Sequence, residues 1–320
     1  MSETSWAEQG GLFENLTADD RAMLHEIRSG WNSGVDARRA KVMGIYAPLA
    51  AARSKDGIRI HRDVSYGDHD RQILDVFAPE GARNAPVLVY VHGGAFVLGN
   101  KSADGVIYDN VLAWFARQGF VGVNVEYRLA PGAGYPGGAY DTGLAVRWIA
   151  ERIAEYGGDP DRIVVMGHSA GGTHVASYLL DPDVGIEVPA GVKAAVLVSA
   201  RLKADMDPEN PMRENVAAYF GDDPEFLAAH SPTALAANAR WPMLVAFGGC
   251  ENRYLDLYGL EFPSRVGAAT GVAPRVIQLP EHNHFSIVAH FDTGEEVLGR
   301  EILSFLEREA GITAPACFRP

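Results

Sequence analysis

The stretch Ile163-Val164-Val165-Met166-Gly167-His168-Ser169-Ala170-Gly171-Gly172 decides the reading of this chain. A short, continuous apolar run enters Gly-x-Ser-x-Gly and leaves it into Thr173 to Leu180, which reads as a helix. A serine on so tight a strand-to-helix turn has an exposed hydroxyl and a strained backbone. Glycines at 167 and 171 remove side chains that would strike the neighbouring strand and helix. The helix that follows points its N-terminus at the serine, where its dipole favours developing negative charge. Ser169 is therefore the expected nucleophile.

Working outward, the rest of the chain supplies the strands and helices that such a turn needs. Ile58 to Tyr66 and Gln72 to Phe77 alternate apolar and polar residues around the turn cluster Gly67 to Asp70, the pattern of an antiparallel hairpin. Pro86 to Val91, Phe120 to Val125, Ile163 to Met166, Ala194 to Val198, Met243 to Phe247 and Val276 to Leu279 are continuous apolar runs. These suit strands buried on both faces of a parallel sheet. Asp104 to Gln118, Tyr140 to Tyr156 and Glu295 to Glu309 carry helical periodicity between them. The expected fold class is α/β: a mostly parallel central sheet with helices on both faces and a small cap. Residues 1–55 read as an N-terminal helical cap segment and 56–320 as the catalytic domain. A turn-rich insertion at about 201–240 is a candidate lid.

A second strand end carries glycines. Pro86 to Val91 runs into His92-Gly93-Gly94-Ala95-Phe96, and backbone N–H groups in a glycine turn can donate to the oxyanion of an acyl-transfer intermediate. Gly93, Gly94 and the Ala170 amide are the expected donors. His92 precedes the serine, whereas this arrangement places its base last, so His92 reads as a support for the loop.

The base and the acid must follow in the order serine, carboxylate, histidine. His282 and His284 sit in the polar loop after the last strand, and His284 is preferred as the base. His174 lies in the helix behind the nucleophile, His230 in the insertion, and His290 reads as surface or core. Glu251 is the first carboxylate after Met243 to Phe247 and is the expected acid. Asp256 is the second and falls on an apparent helix start.

Four ordered motifs now carry a resemblance. His92-Gly93-Gly94, Tyr127-Arg128-Leu129-Ala130-Pro131, Asp159-Pro160-Asp161-Arg162 and Gly167 to Gly172 together resemble the bacterial hormone-sensitive-lipase-like carboxylesterases of the α/β-hydrolase superfamily, over roughly residues 60 to 305. The resemblance implies a serine hydrolase that cleaves small carboxylic esters through an acyl-enzyme. Ala95 stands where that family has a third glycine, and His168 where it has aspartate. The latter, with Tyr66-Gly67 and Leu74-Asp75-Val76, is similar to the arylformamidase (kynurenine formamidase) branch, which implies an N-formyl amide as the alternative substrate. A non-catalytic binding protein on the same scaffold is disfavoured, because every catalytic role has a residue in order.

Composition narrows the partners. The formal net charge of −13 over 320 residues opposes binding to nucleic acid and to anionic membranes. The expected partner is a small acyl ester; a homodimer is compatible with the sequence. No metal-ligand cluster and no GxGxxG context is seen, so no cofactor or metal is expected. The N-terminus lacks a basic region followed by an apolar one, which makes the cytoplasm the expected compartment. Two cysteines, Cys250 and Cys317, leave one disulfide open.

Overall fold

The computed structural model describes residues 13, 15–32, 34–102 and 104–315. Cys317 and the first dozen residues lie outside that set, so neither a Cys250–Cys317 bridge nor the start of the N-terminal segment is described. Eight strands form one sheet in the order β1-β2-β4-β3-β5-β6-β7-β8. They are β1 (Ile58–Ser65), β2 (Ile73–Pro79), β3 (Ala85–Val91), β4 (Val121–Val125), β5 (Gly158–His168), β6 (Val192–Val198), β7 (Met243–Cys250) and β8 (Arg275–Asn283). β2 runs antiparallel to both its neighbours; β4 to β8 and β3 are parallel. This is the mostly parallel sheet expected.

The runs in β3 to β7 are buried on both faces because each strand feeds two cores at period 2, whereas β8, at the edge of the sheet, leaves Val276 and Gln278 exposed and so departs from the expectation for Val276 to Leu279. Val87, Val89, Val165 and Leu197 point into one cluster, and Leu88, Tyr90, Met166 and Val196 into the other. The first face is covered by α4 (Gly137–Arg152), α5 (Ala170–Leu180) and α8 (Leu255–Thr270), through Ile149, Val175 and Phe262. The second is covered by α3 (Asp109–Arg117) and α10 (Val297–Glu309), through Phe115, Phe305 and Leu306. The two N-terminal helices, α1 (Ala18–Ser29) and α2 (Val35–Ala51), pack on this second face through Ile27, Val42 and Tyr46. Thr17 and Asp20 cap α1 reciprocally, satisfying two amide donors at its start.

Several boundaries differ from the sequence reading. α3 begins at Asp109 rather than at Asp104, and β5 begins five residues before Ile163, where Gly158 pairs with Ala85 across a register shift. The helix Leu255–Thr270 carries Pro263 and two glycines, Gly259 and Gly267, and its amphipathic signal is weak. The insertion holds α6 (Arg213–Phe220) and α7 (Pro224–His230). Tyr219 stacks on Phe96 at 4.8 Å, so the insertion is anchored on the glycine loop after β3. α9 (Ser286–Ala289) is a single turn just after the β8 loop.

Candidate active site

Four parallel strands, β3, β5, β7 and β8, end on the same edge of the sheet, and each end carries one expected site element. That edge is where open α/β sheets bind ligands. Ser169 follows β5 with φ 55° and ψ −120°, outside the usual regions for an L-residue. Its amide is tied to the Val198 carbonyl at 2.9 Å. The tight turn explains the flanking glycines. A Cβ on Gly171 would lie 2.1 Å from the Val91 carbonyl oxygen, and one on Gly167 would lie 2.4 Å from that of Gly171.

Glu251, His284 and Ser169 form a hydrogen-bonded line. His284 Nδ1 donates to Glu251 Oε2 at 2.7 Å, which leaves the Nε2 lone pair facing Ser169 Oγ at 3.1 Å. Glu251 is buried, and its other oxygen accepts the Ser199 hydroxyl and the Gly248 amide, the latter at 2.8 Å. A buried carboxylate so loaded with donors is held as an acceptor and fixes the imidazole tautomer. Ser199, at the end of β6, was invisible as a site residue because no motif marks it.

Two further supports come from outside the motifs. Trp31 Nε1 donates to Asn252 Oδ1 at 2.9 Å and Asn32 Nδ2 to the Glu251 carbonyl at 3.3 Å, so the N-terminal segment braces the acid loop. His168 Nε2 donates to the His284 carbonyl at 2.8 Å, and complete burial holds the His168 imidazole well below its ordinary pKa. A neutral donor there ties the backbone of His284 to the strand that leads into Ser169.

The other histidines fall elsewhere. His92 faces the Gly93 carbonyl at 2.7 Å and Glu126 at 3.0 Å, holding the glycine loop from below. His174 is buried among Phe96, Tyr127 and Tyr219, where burial pushes its pKa down to about 3. His230 pairs with Asp181 at 2.7 Å under the insertion. His282 lies against Glu295 and Ser286 rather than Ser169. His290 is fully buried and is not at the surface. Asp256 sits on the first turn of α8 and accepts the Leu257 amide.

A small cavity of about 30 Å³ opens beside the serine, lined by Ala95, Phe96, Ser169, Ala170, Arg201 and Met212 among others. Two larger grooves of about 400 Å³ lie away from Ser169, along Trp241 and Val272 and along Met206 and Leu227. Of the expected amide donors, Ala170 lines the small cavity, and so does Ala95, one residue beyond Gly94. The Gly93 amide instead approaches the Tyr108 hydroxyl. Gly93 stays beside the serine, since a Cβ on it would lie 3.0 Å from that of Ser169. Gly94 keeps its importance for the turn. Its φ is +149°, and a Cβ there would lie 1.8 Å from the Leu98 carbonyl oxygen. Gly94→Ala is expected to lower kcat by about 10²–10³-fold, the cost of misplacing an oxyanion donor, with the circular dichroism spectrum unchanged. Wild-type kcat in this variant would show that the loop is not part of the site.

Comparison with known proteins agrees with this fold. A family model described as BD-FAE matches residues 74–180. Esterase B from Lactobacillus rhamnosis (HN001) superposes with a TM-score of 0.69 at 21% identity, covering 90% of this chain and 96% of that one. The fold is that of the α/β-hydrolases. Esterase LipC of Mycobacterium tuberculosis is 37% identical over 140 residues, 42% of this chain and 34% of that protein. Carboxylesterase NlhH of the same organism is 39% identical over 148 residues, 43% of this chain and 42% of that protein. The chain thus spans between a third and a half of the length of these two curated relatives. No helix among the described residues is long and apolar enough to cross a membrane.

Proposed function

We propose that the protein is a carboxylesterase for small acyl esters. The observation that carries this reading is the hydrogen-bonded line Glu251–His284–Ser169 beside a cavity that Ala95, Ser169 and Ala170 line. The names of the partial relatives, esterase and carboxylesterase, support it.

In this mechanism Ser169 Oγ attacks the ester carbonyl carbon while His284 Nε2 takes the hydroxyl proton. The oxyanion forms against the Ala170 amide and the loop from Gly94 to Ala95, at the N-terminus of α5. His284 passes its proton to the leaving alcohol, and an acyl-enzyme remains on Ser169. Water then repeats the attack with His284 as base and releases the acid. Glu251 stabilises the imidazolium in both halves.

The substrate side is short. About 30 Å³ accommodates little more than a methyl group or a water or two. The highest kcat/KM is expected for acetyl to butyryl p-nitrophenyl esters. Each further methylene would contribute about 0.8 kcal/mol if it were buried, so a long pocket would show kcat/KM climbing from butyrate to laurate, and that trend would refute a short one. N-formylkynurenine belongs in the same panel. Its preference over every ester would move the enzyme to the formamidase reading with the same three residues.

A further inference from the structure

We infer that His282, His290 and Glu295 form a binding site for one divalent transition-metal cation, Zn²⁺ by preference, beneath the loop that carries His284. The sequence shows no such cluster, because the spacing His-x₇-His-x₄-Glu is not one of the short zinc-ligand spacings. The fold assembles it. His282 ends β8, His290 follows α9, and Glu295 precedes α10. Their ligand atoms all lie within 4.8 Å of one another, and each of the three residues is at most 3% exposed.

The polar atoms at the centre are the second observation. His290 Nε2 is buried with no hydrogen-bond partner among the described residues, and the buried Glu295 carboxylate meets only the His282 imidazole and the Phe13 backbone. His282 Nε2 and Glu295 Oε1 are 2.7 Å apart, which leaves His290 Nε2 as the unpartnered atom of the cluster. Buried polar groups left in this way require an explanation, and an ion is one.

The outer contacts prepare both imidazoles as ligands. His290 Nδ1 donates to the Ser286 carbonyl at 2.9 Å, so its Nε2 is a lone pair directed inward. His282 Nδ1 sits 3.1 Å from Ser286 Oγ, which also takes the Asn283 amide at 2.8 Å. Metal-bound histidines are held by their second nitrogen in this manner. A plain imidazolium–carboxylate pair between His282 and Glu295 would leave His290 Nε2 facing no donor.

Two imidazoles and one carboxylate suit Zn²⁺ better than Mg²⁺ or Ca²⁺, which take oxygen ligands. Tetrahedral bonds of about 2.0–2.2 Å separate ligand atoms by roughly 3.3 Å, between the 2.7 Å contact and the 4.8 Å outer limit. Such an ion would clamp three segments around His284, two residues from His282, and its role would be structural rather than catalytic. The proposal is independent of the esterase reading.

The test is direct. The full chain, stripped with a chelator, is titrated with Zn²⁺ and followed by calorimetry and elemental analysis. One equivalent per chain is expected, with a Tm raised by roughly 5–10 °C at a thousand-fold excess over Kd. Co²⁺ in its place should give the intense visible bands of a tetrahedral site. His290→Gln and Glu295→Gln should each weaken binding by about 100-fold or more and abolish those bands. No stoichiometric binding by the wild-type chain, or a cobalt spectrum typical of octahedral surface sites, would overturn the proposal. So would binding unchanged in both variants, which would place the ion on other histidines. The wild-type cobalt spectrum decides the matter even where a variant fails to fold.

Discussion

His284→Ala is expected to cost as much turnover as Ser169→Ala, about 10⁶-fold in kcat, because nucleophile and base act as one unit. The reasons are on the same line of hydrogen bonds. Without the imidazole at 3.1 Å, Ser169 remains a hydroxyl of ordinary basicity; without the hydroxyl, the imidazole has no proton to take. His282→Ala is the control. It lies two residues away and is equally buried, but it faces Glu295 and Ser286. Its loss should lower Tm, since it removes a buried side chain from the floor of the loop, and should reduce kcat far less than His284→Ala. The measurement is kcat on a p-nitrophenyl ester together with Tm for all three variants. A collapse of turnover in His282→Ala with near-normal turnover in His284→Ala would transfer the base to His282. Substantial turnover by Ser169→Ala would remove the nucleophile assignment altogether.

Much of the fold was legible because its strongest signals are local. A strand buried on both faces leaves few polar residues in its run, and β3 to β7 appear in the sequence as such runs, with Asn124 of β4 the buried exception that bonds the Lys101 carbonyl. The nucleophile turn is local too, with strand, Gly-x-Ser-x-Gly and helix in one stretch. The weaker parts depend on tertiary context. α8 was read only as a helix start near Asp256, because glycine, proline and apolar residues on several faces blur its period. The path of the glycine loop could not be read at all, since it depends on positive φ at Gly94, Ala95 and Phe96. Ser199, Trp31 and Asn32 were missed for a related reason. They support Glu251 from strand β6 and from the N-terminal segment, more than 50 residues away in each case. The convergence of His282, His290 and Glu295 depends on how one helical turn, Ser286–Ala289, folds back the chain.

The acid provides the second large expected effect. Glu251→Gln should lower kcat by roughly 10⁴-fold while Asp256→Asn leaves it near the wild-type value. Glutamine preserves the size of the side chain, so the loop with Ser199 and Gly248 can keep its shape. What changes is the charge and the direction of one hydrogen bond. An amide nitrogen placed at the Oε2 position cannot accept from His284 Nδ1, and an amide oxygen there accepts without compensating an imidazolium. Either way the imidazole loses the negatively charged partner that Glu251 places 2.7 Å from Nδ1. In a buried site that loss is not repaired by water, because Glu251 and His284 are 6% and 2% exposed. Asp256 caps nothing beyond its own neighbour, Leu257, and its neutralisation removes only a half-exposed charge from the first turn of α8. The checking measurement is kcat for both variants across the pH range in which the wild type is active. Equal and small effects from the two would mean that neither carboxylate compensates the imidazolium, and the acid would have to be sought elsewhere on the edge of the sheet.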